Sequence, residues 1–191
     1  MLPADPFRLT LDINQDPDAI INLTAENQAL IIYIPDVLTK TASATSKNII
    51  EVLALKPGAL ANKINLPGAT PFTGKKAGKL SNFGTTHDED LPIYIPGNTP
   101  ATAELVDRIS KGGRFMIIAK QAAYKGTSAY RYIYGYECGM YGDTPTLDTS
   151  KDGGTTITMK SMNNSKSGYF LYKTSDSLTQ TLEDTLTVAA V

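Results

Sequence analysis

Most of this chain alternates hydrophobic and polar residues in the two-residue rhythm of β-strands, and only one stretch carries a clear helical rhythm. Leu9, Leu11 and Ile13 fall on one side of a short alternating segment that ends in a turn at Asp16-Pro17-Asp18. Ala29–Ile34 is a β-branched run stopped by Pro35, the pattern of a buried strand. Thr39–Ser46 reads as a polar connection, and Asn48–Leu55, halted by Lys56-Pro57-Gly58, as a strand despite its helical propensity. Leu91–Ile95 returns to β character and ends at Pro96-Gly97. Further on, Arg114–Lys120 and Tyr130–Tyr136 form two strands with a hairpin tip near Lys125–Ser128. Alternation places Tyr130, Tyr132, Tyr134 and Tyr136 on one face, with Arg131, Ile133, Gly135 and Glu137 opposite. Asp143-Thr144-Pro145 and Lys151–Gly154 read as turns, and Thr155–Lys160 and Tyr169–Lys173 as strands joined by the polar Asn163–Gly168.

The helical stretch begins at Thr99, a suitable N-cap, has Pro100 at its first position and stops at Gly112-Gly113. Leu105 and Ile109 lie one turn apart with Val106 beside them, while Glu104, Asp107, Arg108 and Lys111 stay in water. So short a helix is marginal alone and must rest on a sheet. Near the C-terminus, Leu178, Leu182 and Leu186 suit a helix, whereas Thr185–Val188 suits an edge strand, and the conformation of residues 176–191 stays open. Residues 62–90 lose apolar periodicity: Gly68, Gly74, Gly78 and Gly84 are interspersed with Lys63, Lys75, Lys76 and Lys79. The pattern there is an extended loop or an irregular hairpin, and an excursion of that length points to a function. The fold expected is mainly β with some α (α+β), an antiparallel sandwich or barrel flanked by one short helix at about 100–111. One domain, 1–191, accounts for the chain.

Composition narrows the chemistry more than the fold. Of 191 residues, 41% are hydrophobic and 19% charged, enough apolar material for a packed core. The net charge of −1 lacks the footprint of a dedicated nucleic-acid binder. A single Cys and a single His exclude an intrachain disulfide and any zinc cluster built from several such ligands. The N-terminus has no basic segment followed by an apolar run, and the longest apolar stretch, Ala29–Pro35, is far short of the roughly 20 residues that span a bilayer. A soluble protein of a reducing cytoplasm is the simplest expectation, and the sequons at Asn22 and Asn163 then carry no weight.

Candidate chemical groups are few. His87-Asp88-Glu89-Asp90 offers metal-ligand types, but consecutive residues converge poorly on one ion, so a solvated acidic loop is the better reading. Cys138 has no evident partner to activate it. Asp143, Asp148 and Asp152 lack the spacing of a calcium loop. Lys75, Lys76 and Lys79 lack the order of a phosphate loop and suit contact with an acidic partner or a neighbouring subunit. The tyrosines suit a core or a subunit interface, and less readily the stacking of a base or sugar. Catalytic, cofactor and metal sites are therefore not expected. Subunit-interface candidates are Lys75, Lys76, Lys79, Phe83, Tyr130, Tyr132 and Tyr134.

Across residues 112–173 the order of features is that of a helix closed by glycines, an apolar strand, an aromatic strand ending Gly135-Tyr136-Glu137, a turn-rich insertion and a Thr-rich strand. This resembles the major tail tube proteins of long-tailed bacteriophages. The resemblance covers about a third of the chain and implies an antiparallel sandwich or barrel with one helix. It also implies assembly into stacked hexameric rings around a channel, with DNA only as passing cargo and long loops or hairpins that reach neighbouring subunits. Residues 62–90 are the candidate for such an element. Partners would be other copies of the chain and other virion proteins, with no membrane; the location would be the virion, assembled in the host bacterial cytoplasm. The first 60 residues carry no part of the resemblance, which leaves a neck, connector or capsid-decoration role as an alternative. A carbohydrate- or nucleic-acid-binding module using the Tyr130–Tyr136 face is another.

Overall fold

The structure, a computed structural model, describes residues 28–65, 75–81, 84–95, 99–120, 131–147, 154–166 and 168–188. The strands are β1 (Gln28–Tyr33), β2 (Val37–Ala42), β3 (Ile49–Leu55), β4 (Asn62–Asn65), β5 (Lys75–Ser81), β6 (Gly84–Ile95), β7 (Phe115–Lys120), β8 (Arg131–Tyr134), β9 (Tyr141–Leu147), β10 (Thr155–Asn164) and β11 (Tyr169–Leu171). The helices are α1 (Pro100–Ser110) and α2 (Asp176–Thr187), and a short 3-10 turn, Ile34–Asp36, links β1 to β2. The strand expected at Leu9–Ile13, the Asp16–Asp18 turn, the Lys125–Ser128 tip and most of the Lys151–Gly154 turn lie outside the described residues, as do Phe83 and Tyr130.

The strands form one sheet in the order β2-β3-β11-β8-β7-β1-β4-β6-β10-β9, with β5 paired to β6 off this path. Its pairings are antiparallel except for β11 with β3, which is parallel. The sheet ends at β2 and β9 and does not close on itself, so the barrel alternative is set aside while the mainly β, α+β class stands. The inner strands are apolar on both sides because both sides are covered. Ala29 and Ile31 of β1, Phe115, Ile117 and Ala119 of β7, and Tyr132 and Tyr134 of β8 enter one apolar cluster. Their intervening neighbours Leu30, Ile32, Met116, Ile118 and Ile133 enter a second. That is why β1 and β7 read as unbroken apolar runs rather than alternating ones.

Each cluster is roofed by a helix. Helix α1 keeps the expected capping: the Thr99 hydroxyl accepts from the Thr102 amide at 3.3 Å, Thr102 caps back onto the Thr99 amide at 2.8 Å, and Pro100 opens the first turn. It buries Leu105 and Ile109 in the first cluster. Its close approach to β9 uses Gly142, where a Cβ would stand 2.9 Å from Ile109. The expectation of a single helix is corrected by α2, whose Leu186 and half-buried Leu182 belong to the second cluster. Leu178 is exposed, and the stripe that docks is instead Thr179, Glu183 and Leu186.

One segment read as a polar connection and one read as a turn belong to edge strands. Val37–Ala42 pairs with β3, with register shifts at both ends. Its threonines are good β-formers whose exposure follows from the edge position. Tyr141–Leu147 pairs with β10, and Pro145 sits beside a register shift on the terminal strand, the kind of position where sheets tolerate proline. Within the long 62–90 excursion, residues 62–65 are β4 of the main sheet and the described residues 75–81 and 84–90 form a hairpin. β5 and β6 pair without a bulge from Lys75↔Asp90 to Ser81↔Gly84. The strand expected at Leu91–Ile95 thus extends back to Gly84.

Candidate functional site

Two features stand out beyond the core: the β5–β6 hairpin and the turn that follows β8. In the hairpin, the register sets Lys75 opposite Asp90, Lys76 opposite Glu89, Gly78 opposite His87, and Lys79 opposite Thr86. From Ala77 to Leu80 every residue of β5 is exposed, Leu80 by 88%, and Gly84 and Thr85 facing it are exposed too. The inner part of β6 behaves differently. Glu89, Leu91, Ile93 and Ile95 are all buried at alternate positions, so one strand carries a core-facing row at one end and a solvated arm at the other.

That row corrects the reading of His87–Asp90 as a solvated loop. The four residues lie in a strand, so successive side chains point to opposite faces and cannot converge on one ion. Among the described residues no group of three or more His, Cys, Asp or Glu side chains could hold a metal. Glu89 instead enters the core. One carboxylate oxygen accepts the Gly135 amide at 2.8 Å, and the other accepts the Tyr132 hydroxyl at 3.3 Å. Three strands separate β6 from β8 in the sheet, so this contact requires the sheet to curl until β6 faces β8. Burial first, and then the negative charge of Glu89, push the Tyr134 phenol well above its ordinary pKa, so it stays neutral at all ordinary pH.

The tyrosines therefore divide. Tyr132 and Tyr134 are buried, their rings 4.4 Å apart, with Phe170 meeting Tyr132 edge-on at 5.2 Å. Tyr136 does not share their face. β8 ends at Tyr134, and Gly135 takes φ +69, which turns the chain over. Only glycine fits there: a Cβ would lie 2.6 Å from the Met140 side chain and 2.8 Å from the Phe115 carbonyl. The turn closes when the Gly139 amide donates to the Gly135 carbonyl at 3.0 Å, and Phe115 and Met140 then exchange both backbone bonds, at 2.8 and 2.7 Å.

Tyr136 lands beside the second cluster and stacks on Tyr169 with centroids 4.1 Å apart. Lys40 caps the outer end, its ammonium 4.3 Å from the Tyr136 centroid and donating to the Tyr136 carbonyl at 2.7 Å. Burial lowers the Lys40 pKa against the opposing pull of Glu137 and Cys138. Glu137 accepts the Ser165 amide at 2.6 Å, the Ser165 hydroxyl and the Tyr169 hydroxyl. Burial alone would raise its carboxyl, but the bonds from Ser165 and Tyr169, with Lys166 nearby, hold it below the usual value. Gly135-Tyr136-Glu137 is thus a reversing turn pinned to the β10–β11 connection. Cys138 is exposed within it.

Arg131 shares the face of Ile133, as alternation implies, yet it is fully buried beneath α2 and bonded to Glu183. Of the interface candidates, Lys79 is exposed on the hairpin, Lys75 and Lys76 lie at its base in the register, and Tyr132 and Tyr134 are interior. The residue that sequence reasoning missed is Glu89. Its signal was present: stepping back by two from Ile95 through Ile93 and Leu91 arrives at it. No protein-family model, curated protein or solved structure matches this chain.

Proposed function

We propose that the chain is a structural subunit that assembles with copies of itself, a virion component of the tail-tube type whose rings stack around a channel for DNA. The observation that carries this reading is the hairpin arm with Leu80 88% exposed. A leucine side chain left in water forgoes roughly 1.5–3 kcal/mol of burial, which contact with a second copy recovers. Among the described residues the sheet ends in strands β2 and β9, and sheet edges of this kind are ready-made templates for another chain. A net charge of −1 sets little repulsion against stacking many copies. A neck, connector or decoration protein would draw on the same surfaces. Burial of Tyr132 and Tyr134 weighs against the reading in which that face stacks sugars or bases.

The test is negative-stain microscopy of the purified full-length protein together with its Leu80→Asp variant. Rings or tubes from the parent, lost in a variant that keeps the parent's circular dichroism, are the expected result. A monodisperse monomer at high concentration overturns the proposal.

A further inference from the structure

We infer that α2 is a reversible strap: it lifts from the sheet as a unit, swinging about Thr174, while β1, β7 and β8 remain folded. The inference stands apart from the assembly reading.

The docked face of α2 differs in kind from that of α1. Helix α1 sits on Leu105 and Ile109, with Val106 packed alongside. Helix α2 presents Thr179, Glu183 and Leu186 as its buried stripe, with Leu182 only partly covered. Its centre is ionic: Arg131 Nε donates to Glu183 Oε2 at 2.8 Å, and Arg131 Nη2 donates to Gln180 Oε1 at 3.1 Å. Dehydrating two charges offsets most of their attraction, so such a pair fixes how the helix seats more than how firmly it holds.

The hinge carries strain. Thr174 is the one described non-glycine residue with positive φ, at +54, a region that β-branched residues rarely occupy. The strain is held by short-range bonds: Tyr172 Oη donates to the Thr174 carbonyl at 2.7 Å, and the Lys173 amide donates to Thr179 Oγ1 at 2.9 Å. Undocking relaxes it. At its far end α2 is tied by the Ala61 amide donating to the Leu186 carbonyl at 2.8 Å. The helix carries its own start with it, since Ser175 Oγ accepts from the Leu178 amide at 3.3 Å and Thr179 Oγ1 donates to the Ser175 carbonyl at 2.8 Å. Two states are thereby defined, docked through the Arg131–Glu183 latch and lifted with Arg131 in water.

Native-state hydrogen exchange on the full chain tests this, with Glu183→Gln and Thr174→Asn as variants. Amides from Thr179 to Leu186 are expected to exchange at one common rate at least tenfold faster than those of Ile117 and Ile133. Glu183→Gln should accelerate the α2 amides about tenfold further and leave β7 and α1 unchanged. Thr174→Asn, which suits the left-handed region better, should slow them severalfold. The inference is overturned by α2 and β7 exchanging together, by a gradient of fraying along α2, or by equal acceleration of helix and sheet in Glu183→Gln. If that variant does not fold, Thr174→Asn decides: unchanged α2 exchange sinks the idea.

Discussion

Arg131 and Glu183 lie 52 positions apart in sequence and meet at 2.8 Å, joining a central strand to the C-terminal helix. Breaking a buried pair that stays buried costs about 3–5 kcal/mol. Because α2 can lift and rehydrate the guanidinium, Glu183→Ala is expected to lose somewhat less, about 2–3 kcal/mol in urea denaturation. The double change Arg131→Met with Glu183→Leu should recover most of that loss. A double variant as unstable as the single one would show that the pair is indispensable in itself.

Gly135 and Gly112 separate two ways in which a glycine matters. Both have positive φ, +69 and +105, but a Cβ at Gly112 meets open space while one at Gly135 strikes Met140 and Phe115. Gly112→Ala should therefore cost about 1 kcal/mol, from backbone conformation alone. Gly135→Ala adds the displacement of backbone atoms and should cost about 3 kcal/mol or more. Thermal melts of the two variants side by side measure the difference, and equal costs would contradict the packing around Met140.

Removing the Glu89 carboxylate takes one acceptor away from the Gly135 amide and from the Tyr132 hydroxyl. Glu89→Ala is expected to destabilise by about 2–6 kcal/mol, at roughly 1–3 kcal/mol for each of the two groups left short. Tyr132→Phe keeps the bond to Gly135 and should cost only about 0.5–1.5 kcal/mol. Near-equal losses from these two substitutions would mean that the Glu89–Gly135 bond adds little.

The Glu137 clamp has a definite pH dependence. Its carboxyl is held below its ordinary value of 4.5, so the folded state binds the proton less readily than the unfolded state. The clamp's contribution is therefore full above the ordinary value and is lost as pH falls through the lower folded value. Glu137→Gln should be less stable than the parent at neutral pH, and the gap should narrow in the acid range. Denaturation midpoints across a pH series check this, and a gap that widens on acidification would reverse the sign.

Leu80, by contrast, touches the chain's own stability little. Leu80→Ser should shift the unfolding free energy by no more than about 0.5 kcal/mol, as for an exposed position. A larger loss by chemical denaturation would mean that the arm packs on its own subunit.

What the sequence determined by itself was local. Thr99, Pro100 and the 112–113 glycines bound α1 because capping and stop signals act within a few residues. Ala29–Ile34 read as a buried strand and Arg114–Lys120 as a strand, and the structure covers both on two faces because such apolar runs have no polar side to expose. Thr39–Ala42 and Asp143–Pro145 misled, since an edge strand tolerates polar residues and even proline that an inner strand excludes. Leu178, Leu182 and Leu186 suited a helix while Thr185–Val188 suited an edge strand, and docking on the second cluster decided for the helix. Tertiary structure alone decided the rest. Only the curl of the sheet sends Glu89 to Gly135, only the reversal at Gly135 moves Tyr136 away from Tyr132 and Tyr134, and only the seating of α2 gives Arg131 its carboxylate. The Glu89–Gly135 and Arg131–Glu183 contacts join residues 46 and 52 positions apart, where periodicity within one element carries no information about which faces will meet.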